Sequence, residues 1–200
     1  MDTDPTVARA QAGDGCALAE LIETHQTQIY SLTLAIMRNP TDAADMTQET
    51  FVRVLRSIDT YRGERATFAT WLHRLAVNVC LDALRRGRRA PTSLVETEEL
   101  VGNDRWGEPE WTAEWRESAA EVRAALAELP LRQRIALTLF YFDESSYERI
   151  AEVMALPLNT VKSHLLRGKQ NLARLLRVDH TRAATVLPSM RMARLSLVAA

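Results

Sequence analysis

The sequence predicts an all-α protein, with two small helical domains joined by an acidic linker and a helix-turn-helix in the second domain. Only 7 Gly and 7 Pro occur in 200 residues, and the long segments between them lack the alternating β-branched runs of a sandwich or barrel. Apolar residues recur at helical spacing in both halves of the chain. The intervening residues 92–121 carry nine acids and two arginines, which is typical of a linker.

The composition excludes several classes of protein. A chain with 46% hydrophobic and 26% charged residues is not wholly disordered. No run of about 20 uncharged apolar residues is present, so we expect no membrane insertion. The acidic start MDTDPTVARAQAGDG lacks the apolar block of a secretory signal, and we therefore expect a cytoplasmic protein. Cys16 and Cys80 are far apart, which predicts two buried free thiols and no zinc site, cofactor or disulfide framework.

The first domain, residues 1–91, is predicted to contain three long helices. The first is Ala17–Arg38, and the second begins at an N-cap on Thr41 and ends near Ile58. A loop at Asp59–Arg65 separates it from the third, which begins near Thr67. The second helix is predicted to bury Met46, Phe51, Val54 and Leu55.

The second domain, residues 118–177, follows a linker at 92–117 and precedes a tail at 178–200 whose role the sequence does not indicate. Two capping boxes, Ser118 with Glu121 and Ser145 with Glu148, predict helix starts. The predicted helices are Val122–Leu129, Leu131–Phe142, Tyr147–Met154 and Thr160–Arg177, the last with Asn159 as its N-cap.

The segment Ser146–Arg167 has the pattern of a helix-turn-helix: two short amphipathic helices separated by a tight break. Its outward residues at the start of the second helix can reach base edges in a major groove; they are Asn159, Thr160, Lys162, Ser163 and, one turn later, Arg167. Arg174 and Arg177 lie beyond them and can reach only phosphates or water. The alternative is an amphipathic hairpin with a solvated basic face.

Three carboxylates, Asp42, Asp45 and Glu49, share one face of the predicted second helix. They could hold a divalent metal, but one helix face leaves its coordination incomplete. The same face could dock a basic partner or simply remain solvated.

The third helix carries Arg74 and Asn78, which are four residues apart and therefore share a face that can contact a nucleotide. Arg85 and Arg86 follow them and would supply a positive track for a nucleic-acid backbone.

In this order and at these separations, the motifs D-A-A-D-x-x-Q-E-x-F, W-L-x-R-L-A-V-N and I-A-E-V-x-x-x-P-x-x-T-V-K-S resemble the bacterial sigma factors of the extracytoplasmic-function (ECF) type. The similarity covers about Ala17–Arg89 and Ser118–Arg177. It implies one domain for the minus-ten promoter element and one for the minus-thirty-five element. It also implies core RNA polymerase, duplex promoter DNA and the non-template single strand as partners, and an anti-sigma factor as a further one.

The resemblance also implies roles for individual residues. Docking on the polymerase clamp coiled coil would involve Asp45, Gln48, Glu49, Phe51 and Arg53. Tyr61–Phe68 would form the loop that captures an extruded base, so the minus-ten residues would be Tyr61, Arg62, Arg74, Asn78, Arg85 and Arg86. The minus-thirty-five groove would be read by Asn159, Thr160, Lys162, Ser163, His164 and Arg167.

Three residues depart from the family pattern: Ala155 replaces a common glycine in the turn, His164 a common arginine, and Gly168 a usual alanine. Two other functional classes stay open. A helix-turn-helix regulator would bind DNA without needing the Asp42–Arg53 face, and a metal-dependent enzyme would bind a divalent ion there. A sigma factor would be a non-enzymatic subunit.

Overall fold

The computed structural model describes residues 4–89, 122 and 124–176. These residues form helices, turns and loops, with no strand among them, and the chain splits into two compact units, one centred in each half. The prediction of an all-α fold is confirmed. The acidic linker, the capping box at Ser118 and the tail lie outside the described residues, so the predicted domain boundaries stay predictions. No described helix is long and apolar enough to cross a membrane.

The first unit contains four α-helices: α1 (Pro5–Gln11), α2 (Gly15–Met37), α3 (Pro40–Ser57) and α4 (Phe68–Arg89). A short 3-10 turn, Ile58–Thr60, follows α3. Helices α2, α3 and α4 each pack against the other two, and α1 packs on α2. Their shared core includes Leu21, Ile29, Leu32, Ile36, Ala43, Val54, Leu72 and Val79.

The connection between α2 and α3 is short and sharply defined. Arg38 ends α2 in the left-handed region with φ 67°. The side-chain oxygen of Asn39 accepts hydrogen bonds from the backbone N–H groups of Thr41 (2.8 Å) and Asp42 (3.1 Å). The predicted cap on Thr41 is wrong, because Pro40 already occupies the first helical position.

A buried threonine joins α2 to α3. The hydroxyl oxygen of Thr33, which is fully buried, lies 2.9 Å from the carbonyl oxygen of Tyr30 in its own helix and 3.1 Å from that of Ala43 in α3. The same hydroxyl lies 2.8 Å from that of Thr47, which itself donates to Ala43 (2.7 Å). Both hydroxyls have hydrogen-bond partners. The two helices therefore pack together without leaving a buried polar group unpaired.

Three expectations about burial are wrong. Leu55 is 51% exposed, because the inward face of α3 is made by Ala43, Thr50, Phe51 and Val54, and the next residue points about 100° away from Val54. Met46, predicted to be buried, is only half-buried. Cys16 is also exposed, at the start of α2, whereas Cys80 is buried as expected and its pKa is raised to about 12 by burial.

The second unit contains helical residues at 122 and 124–128, then α5 (Leu131–Tyr141), α6 (Tyr147–Met154) and α7 (Leu158–Leu175). Helix α7 packs on α5. The buried core includes Ile135, Leu137, Leu139, Ile150, Val161, Leu165 and Leu172. Arg134 is buried with them and donates to the carbonyl oxygen of Ala127 (2.8 Å), which ties the end of the preceding helix to α5.

Two helices of this unit start at the predicted residues, Leu131 and Tyr147, whereas the cap of α6 and the start of α7 differ from the prediction. The hydroxyl of Ser146 accepts from the backbone N–H of Arg149 (3.2 Å), so Ser146 and not Ser145 caps α6. Ser145 is buried and donates to Asp143 (2.5 Å). Helix α7 begins at Leu158 after Pro157, so Asn159 lies inside it and is not its cap. Arg177 lies outside the described residues.

Gly168 allows α7 to approach α5 closely. A Cβ atom at this position would lie 3.1 Å from Cδ1 of Leu137, tighter than ordinary van der Waals contact. Nearby, the side-chain amide of Asn171 donates to that of Gln133 (2.9 Å). Gly168 therefore serves the packing of α7 on α5.

Ala155 in the turn between α6 and α7 has φ 50°, where a side chain costs about 1–2 kcal/mol. We expect Ala155→Gly to raise the free energy of unfolding by about 0.5–1 kcal/mol, measured by urea denaturation of the full chain. The control is Ala151→Gly within α6, which should lower it by about 1 kcal/mol. Equal destabilisation by both substitutions would contradict the assignment of strain to the turn.

Candidate polymerase and nucleic-acid interfaces

Helix α3 presents a mixed polar and apolar stripe to solvent. Asp45, Gln48 and Leu55 are exposed, with the half-buried Val52 between them. Their spacing of three, four and three residues places them on one face, opposite the buried one. We call Asp45, Gln48, Val52 and Leu55 the α3 stripe. The sequence analysis missed Leu55 because its apolar character suggested core.

Three of the five residues predicted to dock on polymerase lie elsewhere. Phe51 is only 9% exposed and packs in the core of the unit, and its predicted contact with polymerase stays a prediction. Glu49 and Arg53 are partly buried and pair with each other (Oε1 to Nε, 3.2 Å). Asp45 and Gln48 are the two whose side chains stand open to a partner.

The arrangement of carboxylates on α3 offers little to a metal. Among the residues that the structure describes, no group of three or more His, Cys, Asp and Glu side chains could hold an ion. Glu49 is engaged by Arg53, while Asp42 lies in the first turn, where a carboxylate favours the helix dipole.

The loop between the 3-10 turn and α4 is anchored by aromatic packing. Tyr61 is 5% exposed, and its ring lies 5.5 Å from that of Trp71 and 5.7 Å from that of Phe68. Its hydroxyl donates to the carbonyl oxygen of Ala66 (3.0 Å), closing the loop on itself. The ring and hydroxyl of Tyr61 therefore hold the shape of the loop, and the predicted contact of Tyr61 with DNA stays a prediction.

Arg62 is exposed at the tip of this loop and bonded to its backbone. One guanidinium nitrogen, Nη1, donates to the carbonyl oxygens of Asp59 (2.5 Å) and Tyr61 (2.9 Å). A guanidinium group has five N–H donors, so Arg62 has donors left for a ligand while it braces the loop.

One face of α4 carries the predicted minus-ten residues. Arg74, Asn78 and Arg85 are exposed, and their spacings of four and seven residues put them in one stripe; Arg86 is exposed beside it. Asp82 lies within the same stripe, with Oδ1 3.2 Å from Arg85 and Oδ2 3.6 Å from Arg53 of α3. The sequence analysis missed Asp82; its spacing from Arg85 is the signal that could have found it.

The outward face of α7 is polar at its start. Asn159, Lys162, Ser163 and Arg167 are exposed, and Thr160 and His164 are half-buried at the edges of this face. The hydroxyl of Ser163 donates to the carbonyl oxygen of Asn159 (2.9 Å).

Leu166 lies near the centre of the outward face of α7 and is 60% exposed. The sequence analysis missed it, since it follows the buried Leu165 and reads as part of the same apolar pair. An exposed aliphatic side chain here can contact a thymine methyl group.

Two titratable side chains of the second unit, His164 and Lys169, have lowered pKa values. Partial burial, with Arg132 and Arg167 nearby, lowers the pKa of His164, so the imidazole is mainly neutral at pH 7. Lys169 lies over an aromatic ring of α5: its Nζ lies 4.7 Å from the ring centroid of Phe140, and burial lowers its pKa.

Comparison with known proteins assigns both units. The family model "Sigma-70 region 2" matches residues 21–90, and "Sigma-70, region 4" matches residues 119–172. A region 2 followed by a region 4 is the domain content of a sigma-70-type transcription initiation factor. Two solved structures share the fold: CnrH in complex with the cytosolic domain of CnrY (TM-score 0.62, 22% identity, 86% of this chain and 95% of that one) and the Bartonella quintana sigma factor RpoE in complex with the anti-sigma factor NepR (0.65, 21%, 80% and 97%).

Relatives similar in sequence identify the type of sigma factor. The ECF RNA polymerase sigma factor SigE of Mycolicibacterium smegmatis is 37% identical over 80% of this chain, which spans 63% of that relative. The RNA polymerase sigma-H factor of Pseudomonas aeruginosa (36%) and the ECF RNA polymerase sigma-E factor of Escherichia coli K12 (34%) each match 82% of this chain and 88% of their own length. The chain belongs to the ECF family of RNA polymerase sigma factors, which favours this function over that of a regulator acting without polymerase.

The state of His164 can be tested by NMR titration of its imidazole protons. We expect a pKa below the ordinary value of about 6.5. Arg132→Gln should raise that pKa, because removing a neighbouring positive charge favours the protonated ring. Arg174→Gln, further along α7, should leave it unchanged; an equal effect of both substitutions would contradict the local cause.

Proposed function

We propose that this sigma factor binds core RNA polymerase through the α3 stripe and promoter DNA through α4, the preceding loop and α7. The observation that carries the proposal is the difference in surface chemistry: the α3 stripe exposes a carboxylate, an amide and a leucine with one cation, Arg56, beside them, whereas α4 and α7 expose arginine, lysine, asparagine and serine and only α7 adds a leucine. The chain would act as a non-catalytic subunit in the cytoplasm, where polymerase and chromosome lie.

The α3 stripe has the composition of a protein-binding surface. Leu55 supplies an apolar anchor beside the carboxylate of Asp45 and the amide of Gln48. Negative charge at this position would repel DNA and would suit a basic protein surface. The pair Glu49–Arg53, partly buried beside the stripe, would keep that surface ordered.

The loop and α4 together suit the minus-ten element in its unpaired state. Extruding a base costs a few kcal/mol, so the receiving site must be formed in advance. The packing of Tyr61 on Trp71 and its bond to Ala66 provide such a preformed loop. Arg74 and Asn78 would contact the nucleotide, and Arg85 and Arg86 the phosphates behind it.

Helix α7 suits duplex DNA. Its exposed N-terminal residues offer donors, acceptors and one aliphatic contact to a major groove, with Lys162, Ser163, Leu166 and Arg167 at the centre. His164 would contribute hydrogen bonding and little charge. Arg174, two turns further along the helix, would meet phosphate.

An anti-sigma factor would be a further partner. The two solved structures of similar fold are described as complexes, one of the sigma factor RpoE with the anti-sigma factor NepR and one of CnrH with the cytosolic domain of CnrY. We propose that this chain is likewise held inactive by a protein that covers its polymerase-binding or DNA-binding surfaces.

Docking can be tested with charge and apolar substitutions on α3. We expect Asp45→Lys and Leu55→Ser each to weaken binding to core polymerase by at least about tenfold, about 1.4 kcal/mol, measured by fluorescence anisotropy of the labelled chain. Glu23→Lys makes the same charge change at an exposed site of α2 and should leave the affinity unchanged. Equal affinities of all the variants would refute the docking face.

Groove reading can be tested with two arginines of α7. In holoenzyme, Arg167→Ala should lower affinity for the minus-thirty-five element by about 1–3 kcal/mol and relax selectivity at one base position. Arg174→Ala should weaken binding of all sequences alike and reduce the salt slope by about 1. The proposal fails if Arg167→Ala leaves base selectivity intact, as competition binding with substituted duplexes would reveal.

A further inference from the structure

Gln11 reaches from α1 to the start of the loop that precedes α4. Its side-chain nitrogen Nε2 donates to the carbonyl oxygens of Ile58 (2.8 Å) and Tyr61 (3.1 Å). These two carbonyls mark the beginning and end of the 3-10 turn that leads into the loop. Gln11 precedes the residues that match region 2, and neither the sequence motifs nor the family match assigns it a role.

The two bonds saturate both carbonyl oxygens. The Ile58 oxygen also accepts from the backbone N–H of Tyr61 (3.0 Å), and the Tyr61 oxygen also accepts from Arg62 (2.9 Å). A carbonyl oxygen has two lone pairs and an amide nitrogen two N–H groups, so Gln11 completes each oxygen with one bond. Because Gln11 is half-buried, water can replace these bonds only in part.

Helix α1 is itself firmly held. Val7 and Ala10 are buried beneath it, and the carboxylate of Asp4 accepts from the backbone N–H of Thr6 (2.9 Å) at its start. At its end Arg9 pairs with Asp14 (2.6 Å). A helix of seven residues is too short to be stable alone. These contacts therefore hold α1 in place on the rest of the unit.

We propose that Gln11 is a positioning residue for the base-capture loop at residues 61–67. It touches no DNA; it fixes the backbone at Ile58 and Tyr61, and so determines where Arg62 stands when a base is captured. A loop fixed in advance loses less conformational entropy on binding. This inference rests on the proposed function of the loop in capturing an extruded base.

Two substitutions remove the donors in different ways. Gln11→Glu keeps the shape but turns carboxylate oxygens toward two carbonyl oxygens, and Gln11→Met keeps the length without a donor. Arg9→Gln is the matched control, because it alters the same short helix at a residue that pairs with Asp14 and makes no hydrogen bond to the loop.

The assay uses holoenzyme assembled from core polymerase and the full chain. The probe is a forked DNA with a single-stranded non-template minus-ten element, taken from a promoter mapped by transcript 5′ ends. Each base of the element is replaced in turn by an abasic site. For the unaltered chain we expect a loss of affinity of about tenfold at the captured position. Gln11→Glu and Gln11→Met should reduce this penalty about three- to fivefold, and Arg9→Gln should keep it.

The possible results distinguish the positioning role of Gln11 from the proposed capture of a base by the loop. A penalty that persists in both Gln11 variants overturns the positioning role and leaves base capture intact. No penalty at any position in the unaltered chain overturns base capture itself.

A general loss of folding is distinguished by hydrogen exchange on the free chain. Amides of residues 62–67 should exchange about five- to tenfold faster in Gln11→Met, while those of α2 stay unchanged. If the amides of residues 62–67 exchange at the same rate in Gln11→Met and in the unaltered chain, the positioning role is also overturned.

Discussion

Burial of one face of α3 against both α2 and α4 is the constraint on which the first unit depends. Ala43, Thr50, Phe51 and Val54 point inward, and the hydroxyls of Thr33 and Thr47 lie 2.8 Å apart where α2 packs on α3. Together they fix the rotation of α3 about its axis. The core therefore decides which residues of α3 face solvent, and a rotation of the helix by about 100° would change the direction in which Asp45 and Leu55 point.

Burial of one helix face also decides which residues of α4 and α7 are exposed. In α4, Leu72, Ala76 and Val79 are buried, which leaves Arg74 and Asn78 exposed on the other side. In α7, the missing side chain of Gly168 lets the helix settle against α5, and Lys169 lies over Phe140. Packing thus selects which cations face a nucleic acid, and a count of basic residues would overstate the interface.

A chain of ion pairs, Glu49–Arg53–Asp82–Arg85, connects α3 to the arginine-bearing face of α4. Each pair is at least partly exposed and contributes at most about 1 kcal/mol. These pairs act on the orientation of the side chains. Asp82 pairs with both Arg53 and Arg85, so one carboxylate restrains an arginine of α3 and an arginine of α4. With the hydrogen bonds of Gln11, these contacts hold the helices and the loop in one fixed arrangement.

The helices and their order follow from apolar spacing, and that part of the fold could be predicted from the sequence. Exposure of Leu55 and burial of Tyr61 could not, because each depends on contacts between segments far apart in the chain. Spacing alone places Leu55 at the edge of the apolar face, and only the position of α2 and α4 decides its exposure. Capping errors at Thr41, Ser145 and Asn159 arose because a proline or a neighbouring serine competes for the same role.

Site-specific photo-crosslinking in a holoenzyme–promoter complex tests the division of surfaces most directly. A photoreactive side chain placed at Gln48, Asn78 or Ser163 reports what lies against α3, α4 and α7. The account predicts crosslinks from position 48 to a polymerase subunit, from position 78 to the unpaired non-template strand and from position 163 to duplex DNA upstream. Crosslinks from position 48 to DNA, or from position 163 to polymerase alone, would contradict it.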